Sequence, residues 1–313
     1  MNSTKNLNLK KPESTDFYNI DEFNGNMDIV DEEITKLNEK IVNHNLLINS
    51  NFANPVNQRG KNKYNVDEDT VYTIDRWEAS GCDVSVEDGF VRIHPNTGAL
   101  TTGLFRQHIS IPIAELKGKS LAISYETADE TCAYIVQLPS TISASYKSKE
   151  YSFGVGNKSY LSYHSAGCIS LVFYIAAQLN LKWAKVEIGN KATPYVAKMF
   201  DEEFLLCQRY FQKRNVKDAK LVRVGTDYLR FVFSIFPRMR ITPTEASGFS
   251  NVDTLYNNSS TSLNFQFNAP NSDEGMMEIT AVNYDESGNR IAHGWTISDC
   301  PSLNGEVYLD AEI

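Results

Sequence analysis

A repeating pattern of apolar side chains runs through residues 27–48, where the spacing alternates between three and four residues. The repeating positions are Met27, Val30, Ile34, Leu37, Ile41, His44 and Ile48. This a/d heptad pattern predicts a short coiled-coil helix, about 30 Å long at ~1.5 Å per residue. We therefore predict that these positions form an oligomerisation seam between copies of the chain. An amphipathic helix lying on a domain of its own chain is the alternative.

The seam leaves the number of associated chains open. Isoleucine at the a positions with Leu37 at a d position favours a dimer, whereas Val30 and His44 at d positions weaken that preference. Residues 1–20, which precede the seam, are polar and rich in Asn and Lys. They predict an extended arm that becomes ordered only on a partner.

Between residues 46 and 198 the pattern changes to short runs rich in β-branched and aromatic residues, separated by turn-forming residues. The predicted strands are Cys82–Val86, Phe90–His94, Leu104–Ile111, Ser120–Thr127, Ala133–Leu138, Lys149–Gly154, Cys168–Ile175 and Lys182–Ile188. Asp88-Gly89 between two of these runs is typical of a hairpin turn. Many short strands with regular turns predict a two-sheet sandwich or jelly roll.

The last third of the chain predicts a helix and then further strands. Acidic residues come first and basic residues last in Asp201–Arg214, which favours a helix that links two domains. Strand runs follow at Tyr228–Phe236, Leu263–Phe267, Glu278–Tyr284 and Gly305–Ile313. The expected fold class is mainly β. We expect an arm and coiled-coil helix in residues 1–49, a β-sandwich jelly roll in 50–198, and a linker helix with a smaller β domain in 199–313.

Composition and charge narrow the function. The formal net charge is −9 and no stripe of Lys and Arg is present, so we expect no nucleic-acid partner. The five cysteines are widely separated without a C-x-x-C pair, which predicts neither a disulfide framework nor a zinc site and favours folding in a reducing cytoplasm. The first residues contain no apolar leader, and no apolar run approaches a membrane span of about 18 residues. We therefore expect neither secretion by a signal peptide nor membrane insertion.

The sequence contains no motif for catalysis. H-E-x-x-H and G-x-S-x-G are absent, and the five histidines are scattered singly. We therefore expect that the protein is not an enzyme and needs no cofactor. Asp67-Glu68-Asp69 could hold a structural calcium ion, although a solvated loop is the simpler interpretation. A glycoside hydrolase stays an alternative because its two carboxylates are brought together by the fold rather than by sequence spacing.

Five stretches of the chain resemble a family of phage and prophage tail fibre or tail tip proteins. NLNLKKPESTDFYNIDEFNGNMDIVDEEI resembles the segment that docks on the baseplate and leads into a trimeric coiled coil. LLINSNFANPVNQRG and YTIDRWEASG are similar to the first strands of a carbohydrate-binding-module-like jelly roll. LKWAKVEIGNKATPYVAKMFDEEFLLCQRYFQK matches the exit from that module, and YLDAEI matches the end of the distal domain.

This resemblance implies a homotrimeric receptor-binding protein of a virion or tail-like particle, made in the cytoplasm of a bacterial host. Its arm would bind a baseplate or tail protein, and its receptor would be a bacterial surface glycan or surface protein. A baseplate protein without host contact is a further alternative. Aromatic residues in polar, turn-rich surroundings are the candidate ligand contacts. They are Tyr256, Asn257, Asn258, His293 and Trp295 in the distal part, and Tyr160 and Tyr163 in the jelly roll. Trp77 is predicted to be a core residue.

Overall fold

A computed structural model describes residues 2–13, 16–17, 19–40, 42–96, 103–215, 220–224, 228–240, 245–247, 253–256, 259–261, 264–267, 276–282, 302–304 and 306–312. The chain begins with the strands β1 (Asn2–Ser3) and β2 (Lys10–Lys11), which pair antiparallel, and continues into the helix α1 (Ile20–Lys40). The Lys10 backbone N donates a hydrogen bond to Asn26 Oδ1 (2.8 Å), so the hairpin lies against the helix. This part of the predicted arm therefore folds on its own chain.

A sandwich of two antiparallel sheets follows. Its strands are β3 (Lys63–Tyr64), β4 (Val71–Tyr72), β5 (Glu78–Ser80), β6 (Cys82–Glu87), β7 (Phe90–Pro95), β8 (Gly103–Ile109), β9 (Ser120–Thr127), β10 (Thr131–Gln137), β11 (Tyr151–Phe153), β12 (Asn157–His164), β13 (Cys168–Ile175) and β14 (Leu179–Ile188), with a short helix α2 (Ile113–Leu116) after β8. The first sheet has the order β10-β9-β14-β7-β6-β3 and the second has the order β11-β12-β13-β8-β5-β4. The prediction of a mainly β fold is confirmed.

The core lies between the two sheets and is centred on Trp77. The indole ring of Trp77 is 0% exposed and stacks on Phe105 with 4.8 Å between ring centroids. Its Nε1 donates a hydrogen bond to the carbonyl oxygen of Asn49 (2.8 Å), which satisfies the polar end of the ring. Truncating such a side chain to alanine costs about 3–5 kcal/mol. Trp77 is therefore a core residue, as the sequence predicted.

The predicted helical seam is longer than the helix. Helix α1 ends at Lys40, so His44 and Ile48 do not lie on it, and Ile41 lies outside the described residues. The seam prediction is wrong at His44 and Ile48 because Asn45 attaches this segment to β14. Its Nδ2 donates to the carbonyl oxygen of Ala184 (3.0 Å), and its Oδ1 accepts from the Val186 backbone N (3.1 Å). Chain that pairs with a strand edge cannot continue a helix.

The described residues of the C-terminal third form one helix and shorter sheets. Its elements are α3 (Phe200–Gln208), β15 (Phe211–Asn215), β16 (Lys220–Val224), β17 (Tyr228–Ser234), β18 (Glu245–Ser247), β19 (Asp253–Tyr256), β20 (Ser259–Thr261), β21 (Asn264–Phe267), β22 (Met276–Val282), β23 (Ser302–Asn304) and β24 (Glu306–Asp310). They form the sheets β15-β24-β18, β16-β17-β22-β21 and β20-β19-β23. The predicted helix of Asp201–Arg214 is wrong at its end, since Phe211 and the residues after it pair with β24.

A buried ion cluster joins this third to the sandwich. Arg76 Nη1 lies 2.9 Å from Glu312 Oε2, and both side chains are 1% exposed. The Arg76 guanidinium also lies 3.7 Å from the ring centroid of Tyr210, directly after α3. Glu203 within α3 accepts a hydrogen bond from the Asn49 backbone N (2.5 Å). Helix α3 links the two parts, but these contacts hold it against the sandwich rather than leave it as a hinge. None of the helices in the described ranges is long and apolar enough to cross a membrane.

Candidate functional site

The candidate site is a groove of about 420 Å³ on the outer face of the first sheet. Tyr125 and Ala184 point into the core, so their strand neighbours point outwards. The residues that line the groove are Ser124, Thr131, Ala133, Trp183, Lys191, Ala192, Thr193, Pro194 and Tyr195. Strands β9, β10 and β14 thus form the floor, and the chain after β14 forms a wall.

Two aromatic rings define one side of the groove. Trp183 and Tyr195 stack with 4.6 Å between their centroids and 4° between their planes. Trp183 Nε1 donates a hydrogen bond to Glu126 Oε2 (2.7 Å), and Lys182 Nζ lies 2.8 Å from Glu126 Oε1. The bonds from Lys182 and Trp183 lower the pKa of the Glu126 carboxyl from its ordinary value. The ring of Tyr195 therefore fixes one face of the indole, and the hydrogen bond to Glu126 fixes its edge.

A buried polar cluster fixes the wall that carries Tyr195. Lys185 and Glu187 are 1% and 0% exposed and lie 3.0 Å apart. Lys185 Nζ donates to Thr193 Oγ1 (2.6 Å) and to the carbonyl oxygen of Pro194 (3.0 Å). The Thr193 backbone N donates to Glu187 Oε1 (2.6 Å), and the Pro194 ring restricts the backbone further. The two aromatic rings are thus held in place by the protein, which lowers the entropy cost of binding a ligand.

The chemistry of the groove suits a ligand with apolar faces and hydroxyl groups. Ser124 is 4% exposed, and its buried Oγ has no hydrogen-bond partner among the described residues. Thr131 supplies a further hydroxyl at the lining. Sugar rings combine apolar faces with a rim of hydroxyls, and aromatic side chains bind those faces. No carboxylate occurs among the residues that line this groove, so it lacks the acid and base of a glycosidase.

A second groove, of about 450 Å³, lies where β10 and β11 form the open edges of the two sheets. Tyr134 and Tyr151 stack there with 4.6 Å between their centroids. Glu150 at its rim lies 2.6 Å from Lys147 Nζ and 2.7 Å from Lys158 Nζ. The charges of Glu150 and Lys147 in this groove are therefore already paired. The groove at Trp183 is the better candidate because it contains an unpaired buried hydroxyl and a fixed wall.

Tyr160 and Tyr163 are not among the residues that line the groove at Trp183. Tyr160 is 8% exposed, and Lys147 Nζ lies 4.0 Å from its ring centroid, so that face is occupied. Tyr163 is partly buried on the same strand, and its backbone N donates to the carbonyl oxygen of Tyr146 (2.9 Å). Tyr256 is the last residue of β19. Asn257, Asn258, His293 and Trp295 lie outside the described residues.

Two further sequence expectations concern metal ions. Asp67, Glu68 and Asp69 are exposed, and Asp67 Oδ1 accepts a hydrogen bond from Asn96 Nδ2 (3.0 Å), as in a solvated loop. Elsewhere the fold brings together His108, His164 and Cys168, whose ligand atoms all lie within 4.8 Å of one another. Sequence spacing gave no sign of this cluster because each residue lies on a different strand.

A β-bulge explains why the sequence did not reveal Trp183. Strict alternation would place Trp183 on the same face as Leu181, which is 0% exposed in the core. The pairing of β14 with β9 shifts between Leu181 and Trp183, so Trp183 points outwards and Ala184 takes the inward position. The available signal was the stretch from Leu181 to Tyr195, which carries part of the family resemblance.

Comparisons with protein-family models, with curated proteins and with solved structures gave no match to this chain. The interpretation of the groove therefore depends on its geometry and chemistry.

Proposed function

We propose that the protein is a non-enzymatic receptor-binding fibre or tip subunit of a phage or tail-like particle, and that it binds a bacterial surface glycan. The observation that carries this proposal is the groove at Trp183 and Tyr195. Its aromatic pair is held in place by the buried Lys185–Glu187 pair, and Ser124 offers an unpaired hydroxyl at its floor. This combination fits recognition of a sugar by stacking and hydrogen bonding, without chemistry on the bound ring.

The exposed apolar side chains of α1 support self-association. Met27, Ile34 and Leu37 are 53%, 50% and 61% exposed, although they are large and apolar. Ile20 and Phe23 are 57% and 51% exposed and continue the same spacing of three and four towards the start of the helix. A helix lying on its own domain would bury this stripe, so the exposure favours association with other copies. We propose a homotrimer whose residues 1–49 also attach to a baseplate or tail protein.

The connections of the sandwich support its description as a jelly roll. The chain passes from one sheet to the other six times: between β3 and β4, β5 and β6, β7 and β8, β8 and β9, β10 and β11, and β13 and β14. Repeated crossing between two antiparallel sheets is typical of that architecture. In this proposal residues 50–198 are the glycan-binding domain, residues 199–313 form the distal domain, and the assembled particle is the site of action.

Glycan binding by tryptophan variants tests the proposal. Purified protein is titrated with surface polysaccharides from candidate bacteria, and its binding to whole cells is measured. Trp183→Ala should weaken binding by on the order of 2 kcal/mol per site, about 30-fold in Kd. Trp183→Phe should retain part of the affinity because a ring remains. The far-UV circular dichroism and the melting temperature of both variants should match those of the wild type.

The controls separate the competing sites and functions. Tyr256→Ala and Trp295→Ala remove the predicted distal aromatics and should leave glycan binding unchanged. Loss of binding in those variants, with normal binding by Trp183→Ala, would move the receptor site to the distal part of the chain. Release of new reducing ends from the glycan would support the hydrolase alternative. Absence of binding to every candidate host cell would support a baseplate protein without host contact.

A further inference from the structure

Three metal-ligand side chains meet on the outer face of the second sheet. His164 pairs with Cys168 in the register of β12 and β13, and Ser170 on β13 pairs with His108 on β8. Because alternate residues share a face, His108, His164 and Cys168 all lie on the face opposite the core residues Ile169 and Leu171. Their ligand atoms lie within 4.8 Å of one another. The backbone register alone therefore produces the cluster.

The ring of His108 is oriented by a neighbouring hydroxyl. Its Nδ1 lies 2.7 Å from Ser170 Oγ, and both residues are buried. Its Nε2 is buried and lies 3.1 Å from Glu78 Oε1. With the Ser170 hydroxyl at Nδ1, His108 can bind a metal ion through Nε2 while a second group fixes its tautomer. The Glu78 carboxylate beside Nε2 also makes this a place where a cation is favourable.

We propose that His108, His164 and Cys168 bind a divalent transition-metal ion, and that Zn²⁺ is the preferred ion. Two imidazoles and one thiolate are ligands that suit zinc, with bonds of about 2.0–2.1 Å to nitrogen and 2.3 Å to sulfur. On binding, the Cys168 thiol loses its proton to solvent and its sulfur forms the bond to the metal. A water molecule completes the coordination. The guanidinium of Arg106 would carry a positive charge next to the ion, and its ion pair with Glu78 offsets that charge.

Coordination requires a small movement of His164. The rings of His108 and His164 stack with 3.8 Å between their centroids and 29° between their planes, so their nitrogen lone pairs do not meet at one point. His164 is only partly buried, and the bond that its Nδ1 accepts from the Ala166 backbone N is long, at 3.3 Å. Rotation of this ring therefore disrupts less than rotation of His108. The same partial exposure gives the ion a path from solvent.

A cobalt titration tests the site. Tag-free, reduced, full-length protein is titrated with Co²⁺, which reports a thiolate ligand through a sulfur-to-cobalt charge-transfer band. We expect the band to saturate at one ion per chain and to disappear when Zn²⁺ displaces the cobalt. Cys168→Ser should lose the band. Ser170→Ala, which removes the group that orients His108, should weaken Zn²⁺ binding by roughly 10–100-fold.

Matched controls use a cysteine and a histidine from the other sheet. Cys132→Ser and His94→Gln should retain the band and the affinity. The proposal is overturned if the wild type gives no charge-transfer band, if the band survives Cys168→Ser, or if Cys132→Ser removes it. If Cys168→Ser fails to fold, the site is tested with His164→Gln instead, because the side chain of His164 is only partly buried. Retention of wild-type Zn²⁺ affinity by that variant also refutes the site.

Discussion

The Glu312–Arg76 pair should contribute strongly to the stability of the whole chain. Both side chains are 1% exposed, and Glu312 Oε2 lies 2.9 Å from Arg76 Nη1. Glu312→Gln keeps the shape of the side chain but leaves the Arg76 guanidinium buried without its counter-charge. Removal of one partner from a buried pair typically costs about 3–5 kcal/mol. We expect a loss of this size in the free energy of unfolding.

Asp310→Asn is the matched control. Asp310 is the last residue of β24, two positions before Glu312; its side chain is 35% exposed, and its Oδ2 is 3.4 Å from Arg59 Nη2. A pair with this much contact with water contributes at most about 1 kcal/mol. The ion pairs of Glu312 and Asp310 differ mainly in burial. The difference in the free energy of unfolding between Glu312→Gln and Asp310→Asn therefore measures the effect of desolvation at the junction.

The assay is urea unfolding followed by tryptophan fluorescence, since Trp77 is fully buried beside Arg76. A lower midpoint with an unchanged slope reports lost stability rather than a change in the surface exposed on unfolding. Combining Arg76→Met with Glu312→Gln should cost less than the sum of the single variants, because the pair then contains no unpaired charge. If Glu312→Gln costs no more than Asp310→Asn, the junction does not stabilise the chain as argued.

Further predictions concern assembly, attachment and pH. Leu37→Asp places charges in the exposed stripe of α1 and should reduce the oligomer mass measured by light scattering, since each such buried side chain contributes about 1.5–3 kcal/mol. Ile29→Asp, on the same helix but off the stripe, should keep that mass. Deletion of residues 1–19 should leave α1 and oligomerisation intact and prevent incorporation into particles, and incorporation would contradict the attachment role. Burial raises the pKa of Asp75 from 3.8 to about 7. The native state therefore holds a proton that the unfolded state has lost between about pH 4 and 7, so stability should fall as pH rises through this window, by at most about 4 kcal/mol. Asp75→Asn should remove this slope, and an unchanged slope in the variant would contradict the assignment.

Strands with clear alternation were predictable from the sequence. Cys82–Val86 and Phe90–His94 were predicted within a residue of β6 and β7, and Gly89 between them has a φ of 83°, as the hairpin turn requires. In these strands the inward residues are apolar and the outward residues are polar. Local sequence therefore contains the information that decides both the strand and its buried face.

Strand β12 was missed because its inward face is partly polar. Ser159 occupies an inward position with 0% exposure, and its Oγ lies 2.9 Å from the hydroxyl of Tyr125 across the core. Tyr134 donates a second hydrogen bond to the same Oγ (3.0 Å). Only the fold reveals these partners, because they lie on strands of the opposite sheet. A prediction based on alternating apolar residues therefore counts Ser159 as evidence against a strand, although the serine is buried and hydrogen-bonded.

Three of the stretches that carry the family resemblance meet at one place in the structure. Arg76 contacts both Tyr210, which ends the segment Cys207–Tyr210, and Glu312, which ends Asp310–Glu312. Arg76 has a φ of 70°, a backbone conformation that side chains other than glycine adopt at a cost, and these contacts hold it there. These stretches are thus explained by a structural junction between the sandwich and the C-terminal strands. A junction of this kind constrains architecture and leaves the outer faces of the sheets free to differ. The resemblance therefore bears mainly on how the chain is built, whereas the proposed glycan site, the groove at Trp183, lies on an outer face of the first sheet.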